Sequence, residues 1–174
     1  EVRILCPSCH KPNTRTTENF RTARFCQHCG KDVVLNNAPG SRGPRYYITR
    51  IIKEGGQGAV YEVIDDAQRV YAVKEMLDRF TDMRERAEAL ERFQEEANML
   101  LRLSHPRIPR VYASFEDEAR HYLAMDFVRG EDLEDIIRRE GSIPEPQALE
   151  WADQICDVLE YLHRQRPPII FRDM

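Results

Sequence analysis

The stretch from Ile51 to Glu75 constrains the fold of this 174-residue chain more strongly than any other. Two apolar, β-branched runs flank a turn with three glycines, and a third run carries one lysine, Lys74. Such runs, separated by short polar turns, predict three antiparallel strands. A glycine-rich turn lets backbone N–H groups approach a bulky anion, and a lysine on the neighbouring strand adds a positive charge. The three glycines are Gly55, Gly56 and Gly58.

Two other kinds of phosphate-binding loop are excluded by the residues that follow Gly58. A Walker loop requires Gly-Lys-Ser/Thr at the start of a helix, and the dinucleotide-binding fingerprint also opens a helix. The residues that follow here, Ala59, Val60 and Tyr61, favour a strand instead. We therefore expect a nucleoside triphosphate to bind under a β-hairpin.

Four of the five cysteines form two Cys-x-x-Cys pairs within residues 1–35. In a chain that opens with no secretory signal, this spacing favours metal ligation over disulfides. Two such knuckles predict a tetrahedral four-thiolate zinc site in a small zinc ribbon, which is too short to fold without the metal. The predicted ligands are Cys6, Cys9, Cys26 and Cys29. We expect His10 and His28, beside them, to face solvent, and Cys156 to be a core residue of a later helix.

The charge of the chain is split between its two parts. Residues 1–45 carry a net charge of +5 and the remainder carries −9, which indicates two modules with different partners. The basic ribbon offers only Phe20 and Phe25 for stacking on bases, and bound thiolates offset its charge, so a protein partner or a spacer role is favoured over nucleic acid. Residues 36–45 are rich in Gly, Pro and Asn and predict a flexible linker.

The remainder of the chain indicates an α+β fold. Residues 82–103 predict a helix, and further strands are predicted over 111–116 and 121–128. Two more helices are predicted over 131–140 and 145–165. The first helix has a buried stripe with Glu96 beside it, turned toward the sheet. The stripe consists of Phe93, Ala97, Leu100 and Leu101.

No apolar run approaches the roughly 18 residues that a membrane span requires. Together with the reduced-cysteine pattern, this predicts a cytoplasmic location, with no membrane segment within these 174 residues. The first residue is Glu1 rather than Met, so we expect the natural N-terminus to lie upstream.

Residues 46–174 resemble the first half of a eukaryotic-type protein Ser/Thr kinase domain, of the kind also common in bacteria. The resemblance is an ordered series of motifs at suitable spacings rather than one motif. It implies a five-stranded antiparallel sheet with one helix, then the first helices of a second lobe, cut off at the catalytic loop. The motifs are Gly55-x-x-Gly58, Tyr71-Ala72-Val73-Lys74, Glu96 on the first helix, Leu123–Val128 at the hinge and Phe171-Arg172-Asp173.

The resemblance implies a role for each matched residue in binding ATP. The glycine turn would cover the phosphates, with Lys53 in the place of the family's first glycine. Lys74 would pair with the α- and β-phosphates and with Glu96. Val60 and Ala72 would cover adenine. Beside the purine would lie the gatekeeper Met125 and the backbone groups of Asp126 and Val128.

At the end of the chain, Asp173 would be the catalytic base that accepts the proton of a Ser/Thr hydroxyl on a protein substrate. Phe171 replaces the family's usual histidine. No Asn or Asp-Phe-Gly follows to hold Mg²⁺, so we expect this chain alone to be catalytically incompetent and the parent protein to be an active kinase. The alternative is a non-catalytic, zinc-stabilised adaptor with a kinase-like nucleotide-binding lobe.

Overall fold

The computed structural model describes residues 2–15, 24–36, 40–55, 58–76 and 82–170. The chain divides into two compact units, which are described separately below. The first unit comprises Glu1–Arg102 and Arg110–Phe127, and the second comprises Leu103–Pro109 and Val128–Met174. No helix in the described part of the chain combines the length and the apolar character needed to cross a membrane.

The first unit is built on one antiparallel sheet with the order β2-β1-β4-β5-β6-β8-β7, in which β3 also pairs with β4. The prediction of five strands and one helix for the lobe is confirmed by β4 to β8 and by α1, Met83–Leu100. The strands are β1 (Val2–Leu5), β2 (Pro12–Arg15), β3 (Val34–Leu35), β4 (Tyr46–Gly55), β5 (Gly58–Asp65), β6 (Val70–Met76), β7 (Val111–Asp117) and β8 (Arg120–Asp126).

The ribbon strands extend the same sheet, which the sequence did not indicate. Leu5 of β1 pairs with Ile48, and Val34 of β3 pairs with Tyr47. Tyr47 is fully buried and packs among ribbon residues, including Ile4 and Val34. The ribbon and the lobe therefore share one hydrophobic cluster, so the burial of β4 depends on the ribbon.

The described part of segment 36–45 is held by hydrogen bonds. The Asn36 side chain donates to the carbonyls of Arg42 and Pro44, and Arg45 forms a bidentate ion pair with Asp66. Composition does not reveal these contacts, because it carries no information on which side chains bond to loop carbonyls. The flexible linker over residues 36–45 stays a prediction. The division of the chain into three segments at residues 35 and 45 stays a prediction.

A separate hydrophobic cluster lies on each face of the sheet. One face forms a cluster around Tyr46, Tyr61 and Tyr122. On the other face, Phe93 and Ala97 of α1 pack against Leu123 and Val111, as the helical stripe predicted. Placing Leu101 in that stripe was wrong, because the helix ends before it and the residue is 38% exposed.

The second unit contains α2 (Leu133–Glu140) and α3 (Glu145–His163), which confirms the two predicted helices. The Asp132 carboxylate caps α2 by accepting a hydrogen bond from Asp135 N. The turn before β7 is tied to α3, because Ser104 N donates to the Tyr161 hydroxyl at 2.8 Å. The prediction that Cys156 is a core residue was wrong, since it is exposed on α3 among the described residues.

The Tyr46 hydroxyl is the basis of a first prediction. It is buried and has no hydrogen-bond partner among the residues that the structure describes, whereas the Tyr61 hydroxyl donates to Glu75 at 2.6 Å. We expect Tyr46→Phe to stabilise the protein by about 1 kcal/mol, because an unpaired buried hydroxyl carries an uncompensated desolvation cost. We expect Tyr61→Phe to destabilise it by about 2 kcal/mol, because that bond to a charged acceptor is lost. Urea unfolding of both variants measures the difference, and equal destabilisation would contradict it.

Candidate functional site

One face of the sheet gathers the residues expected to contact a nucleotide. The register of β5 and β6 places Val60 opposite Lys74, and the register of β6 and β8 places Ala72 opposite Met125. Directly opposed residues point to the same side of a sheet, as do residues two apart along a strand. Val60, Ala72, Lys74 and Met125 therefore share one face. Since Met125 packs against the cluster that contains Phe93, this is also the face that α1 covers.

The glycine hairpin lies at one end of this face. Gly55 and Gly58 are paired at the tip, and Gly58 comes two residues before Val60. Gly58 has φ 149, in a region that glycine adopts at little cost. A Cβ at Gly55 would meet no atom of the other described residues within 4 Å, its chain neighbours aside. Gly56 lies outside the described residues.

Lys74 and Glu96 are both exposed, and among the residues that the structure describes no ion pair joins them. Glu96 precedes the buried Ala97 and follows Phe93 by three positions, so it lies on the flank of the packed stripe of α1. The arrangement leaves the Lys74 ammonium available to an anion. The predicted ion pair with Glu96 stays a prediction.

At the C-terminal end of β8, the Asp126 side chain already accepts two hydrogen bonds. Its carboxylate accepts hydrogen bonds from Arg110 N at 2.9 Å and from the Tyr112 hydroxyl at 2.6 Å. This bond to the carboxylate raises the pKa of Tyr112. Any contact of Asp126 with a purine would therefore come from its backbone. Val128 belongs to the second unit and is 68% exposed, and Asp173 lies outside the described residues.

The four predicted metal ligands converge in the ribbon. Their Sγ atoms all lie within 4.8 Å of one another, with 3.6 Å between Cys6 and Cys29 and 3.7 Å between Cys9 and Cys26. A tetrahedral zinc ion with Zn–S bonds of about 2.3 Å requires sulfurs about 3.8 Å apart. The observed spacings fit that requirement, so the cluster could hold one metal ion. His10 and His28 do not belong to it.

The two cysteine knuckles repeat the same hydrogen bonds. In the first, Cys6 N donates to Lys11 O and His10 N donates to Cys6 O. In the second, Cys26 N donates to Lys31 O and Gly30 N donates to Cys26 O. The left-handed position is taken by His10 at φ 55 and by Gly30 at φ 74. The shared Cys-x-x-Cys-x-Lys spacing signals this repeat.

Asn13 contacts the cysteine cluster, which the sequence did not indicate. It is fully buried, donates from Nδ2 to Cys26 Sγ at 3.4 Å, and accepts from Gln27 N. Burial opposes ionisation of Cys26, but hydrogen bonds from His28 N and Asn13 outweigh it and lower its pKa to about 6. Burial raises the pKa of Cys6 to about 12. The two knuckles therefore supply one sulfur that ionises readily and one that needs a cation to do so.

Comparison with known proteins assigns most of the chain to one family. The family model described as Protein kinase domain matches residues 46–174. The chain is 29% identical to Serine/threonine-protein kinase B of Synechocystis over 170 residues, which cover 95% of this chain and 28% of that protein. It is 32% identical over 130 residues to cAMP-dependent protein kinase type 3 of Saccharomyces cerevisiae, covering 74% of this chain and 31% of that protein. It is 33% identical to PknA of Corynebacterium glutamicum, covering 76% and 28% respectively.

The fold agrees with that match. The crystal structure of Rad53 1-466 in complex with AMP-PNP superposes with a TM-score of 0.60 at 29% identity, covering 73% of this chain and 32% of that one. The Synechocystis match extends into the first 45 residues, because it covers 95% of the chain. This chain spans 28%, 31% and 28% of the lengths of the three relatives named above.

Proposed function

Because this chain belongs to the protein kinase family, we propose that the whole protein transfers the γ-phosphate of ATP to serine and threonine hydroxyls of protein substrates. The strand register that gathers Val60, Ala72, Lys74 and Met125 on one face carries the proposal. The names of the relatives from Synechocystis and Corynebacterium, both serine/threonine-protein kinases, support the choice of hydroxyl.

Adenine would lie against the apolar part of this face. Val60 and Ala72 offer aliphatic surface, and Met125 adjoins them on β8. The purine edge would be read by the backbones of Asp126 and Val128. Since the Asp126 carboxylate is held by Arg110 N and Tyr112, it would not compete for the same groups.

The phosphates would lie toward the glycine hairpin and Lys74. Phosphoryl transfer depends on positioning and on neutralising developing charge, which suits backbone N–H groups and an ammonium with no ion-pair partner in the described part of the chain. Glu96 would orient Lys74, and Asp173 would accept the substrate proton. Mg²⁺ would neutralise phosphate charge when bound, and none of the residues assigned here is its ligand. We expect these 174 residues by themselves to transfer no phosphate at a useful rate.

The cysteine cluster would hold Zn²⁺ as a structural ion. Four thiolates at tetrahedral spacing suit zinc, and the buried Asn13 orients one of them. The ion would fix both knuckles and, through the cluster around Tyr47, the start of β4. We propose that this module serves protein interaction or regulation rather than catalysis.

Incubation of the whole protein with γ-labelled ATP, Mg²⁺ and a generic protein substrate tests the proposed activity. We expect label on phosphoserine and phosphothreonine, identified by phosphoamino-acid analysis. Label confined to phosphotyrosine would overturn the substrate class. Nucleotide binding with no transfer would instead favour an adaptor.

A further inference from the structure

The turn between β7 and β8, residues 117–120, contacts the ribbon at two points and the residue directly after the ribbon at a third. Asp117 accepts a hydrogen bond from Asn36 N at 2.9 Å, and Glu118 lies 3.6 Å from the Lys31 ammonium. Arg120 donates from Nη1 to the carbonyl of Pro7, in the first knuckle, at 3.5 Å. Both knuckles and the end of β3 are therefore tied to one hairpin of the lobe.

Arg120 has a second partner inside the lobe. The same Nη1 lies 3.0 Å from Glu75, whose side chain is only 2% exposed. Glu75 also accepts the hydrogen bond from Tyr61 of β5. Glu75 follows Lys74 on β6, so the buried carboxylate and the candidate phosphate-binding lysine point to opposite faces of one strand.

We propose that Arg120 is a positioning residue that couples the metal centre to β6, the strand that carries Lys74. The inference rests on the proposed metal site. Leaving a buried carboxylate without its cation is strongly unfavourable. The ion pair between Arg120 and Glu75 is therefore expected to persist. Pro7 follows the ligand Cys6 directly, so a metal-loaded knuckle fixes the carbonyl that Arg120 contacts. Metal binding therefore stabilises the position of β6. Because a coupling free energy is reciprocal, disturbing β6 weakens metal binding by the same amount.

The test measures Co²⁺ and Zn²⁺ affinity by competition with a chelator. We expect Arg120→Gln to weaken affinity about fivefold, at the low end of typical coupling because the contact with Pro7 is long. The matched control is Arg69→Gln, which removes the cation from Asp65, another carboxylate with a side chain only 2% exposed. The hydrogen bonds that the structure describes for this carboxylate go to Ala67 and Arg69, not to the ribbon. General destabilisation would weaken metal binding in both variants, whereas the proposed coupling affects only the first.

Glu75→Gln keeps the side-chain volume, so it reports on the same contact should Arg120→Gln fail to fold. We expect it to weaken metal affinity about as much, and the double variant to lose no more than either single one, because both changes break one path. We also expect faster hydrogen exchange in β6 of the metal-loaded single variants than in Arg69→Gln.

The possible outcomes distinguish failure of the metal site from failure of the coupling through Arg120. A wild-type chain that takes up no cobalt would overturn the metal site and this inference with it. Metal binding with equal affinity in wild type, Arg120→Gln and Arg69→Gln would overturn the coupling alone. Additive losses in the double variant would likewise contradict a shared path.

Discussion

Replacing Lys74 with methionine is expected to lower kcat/KM of the whole protein for phosphoryl transfer by at least about 100-fold, as removal of one preorganised charge at a reacting group does. Lys74 shares a face with Val60, Ala72 and Met125 and has no ion-pair partner among the described residues. Methionine keeps the apolar stem but not the ammonium that would meet the phosphates. Since Lys74 is exposed, folding stability should change by less than about 0.5 kcal/mol.

The control for this variant is Arg50→Met. Arg50 lies on β4 of the same sheet, is 60% exposed at its side chain and pairs with Glu62. An exposed ion pair contributes little, so we expect activity within about twofold of wild type. Steady-state kinetics and calorimetric titration with AMP-PNP measure both variants. Near-wild-type turnover by Lys74→Met would remove the basis for assigning the phosphates to this face.

Serine in place of Cys26 is expected to abolish stoichiometric zinc binding and to destabilise the first unit by more than about 3 kcal/mol, a fraction of what structural zinc contributes. Hydrogen bonds lower the pKa of the Cys26 thiol, and Asn13 donates one of them. Its loss would release the second knuckle. The effect should reach β4, because fully buried Tyr47 packs in the cluster that contains Cys26.

Metal content by mass spectrometry and thermal unfolding with and without a chelator measure this effect. Chelator should lower the melting temperature of wild type and leave Cys26→Ser unchanged, because its site is already lost. Cys156→Ser is the matched control, since Cys156 is exposed on α3 and belongs to no cluster in the described residues. Its stability should change by less than about 0.5 kcal/mol. Equal melting temperatures for wild type with and without chelator would rule out a structural metal.

Much of the candidate site could be predicted from sequence because its signals are local. Period-two alternation places Ala72 and Lys74 on one side of β6, and the glycines mark the hairpin beside them. The metal ligands were equally accessible, because two Cys-x-x-Cys pairs bring four sulfurs together whatever the rest of the chain does. Asn13 was missed because a buried asparagine on an edge strand has no spacing signature.

The sequence alone determined the glycine hairpin and the two cysteine knuckles, because strand periodicity and ligand spacing act over a few residues. The kinase-type lobe was predicted from its resemblance to a known family. Only the tertiary structure decided that the ribbon shares a core with the lobe through Tyr47, and that Arg120 joins Pro7 to Glu75. These contacts connect residues far apart in the chain, and burial of Glu75 beside Arg120 depends on the packing of three strands at once. No local pattern encodes such a meeting, so it becomes visible only when the sheet is assembled.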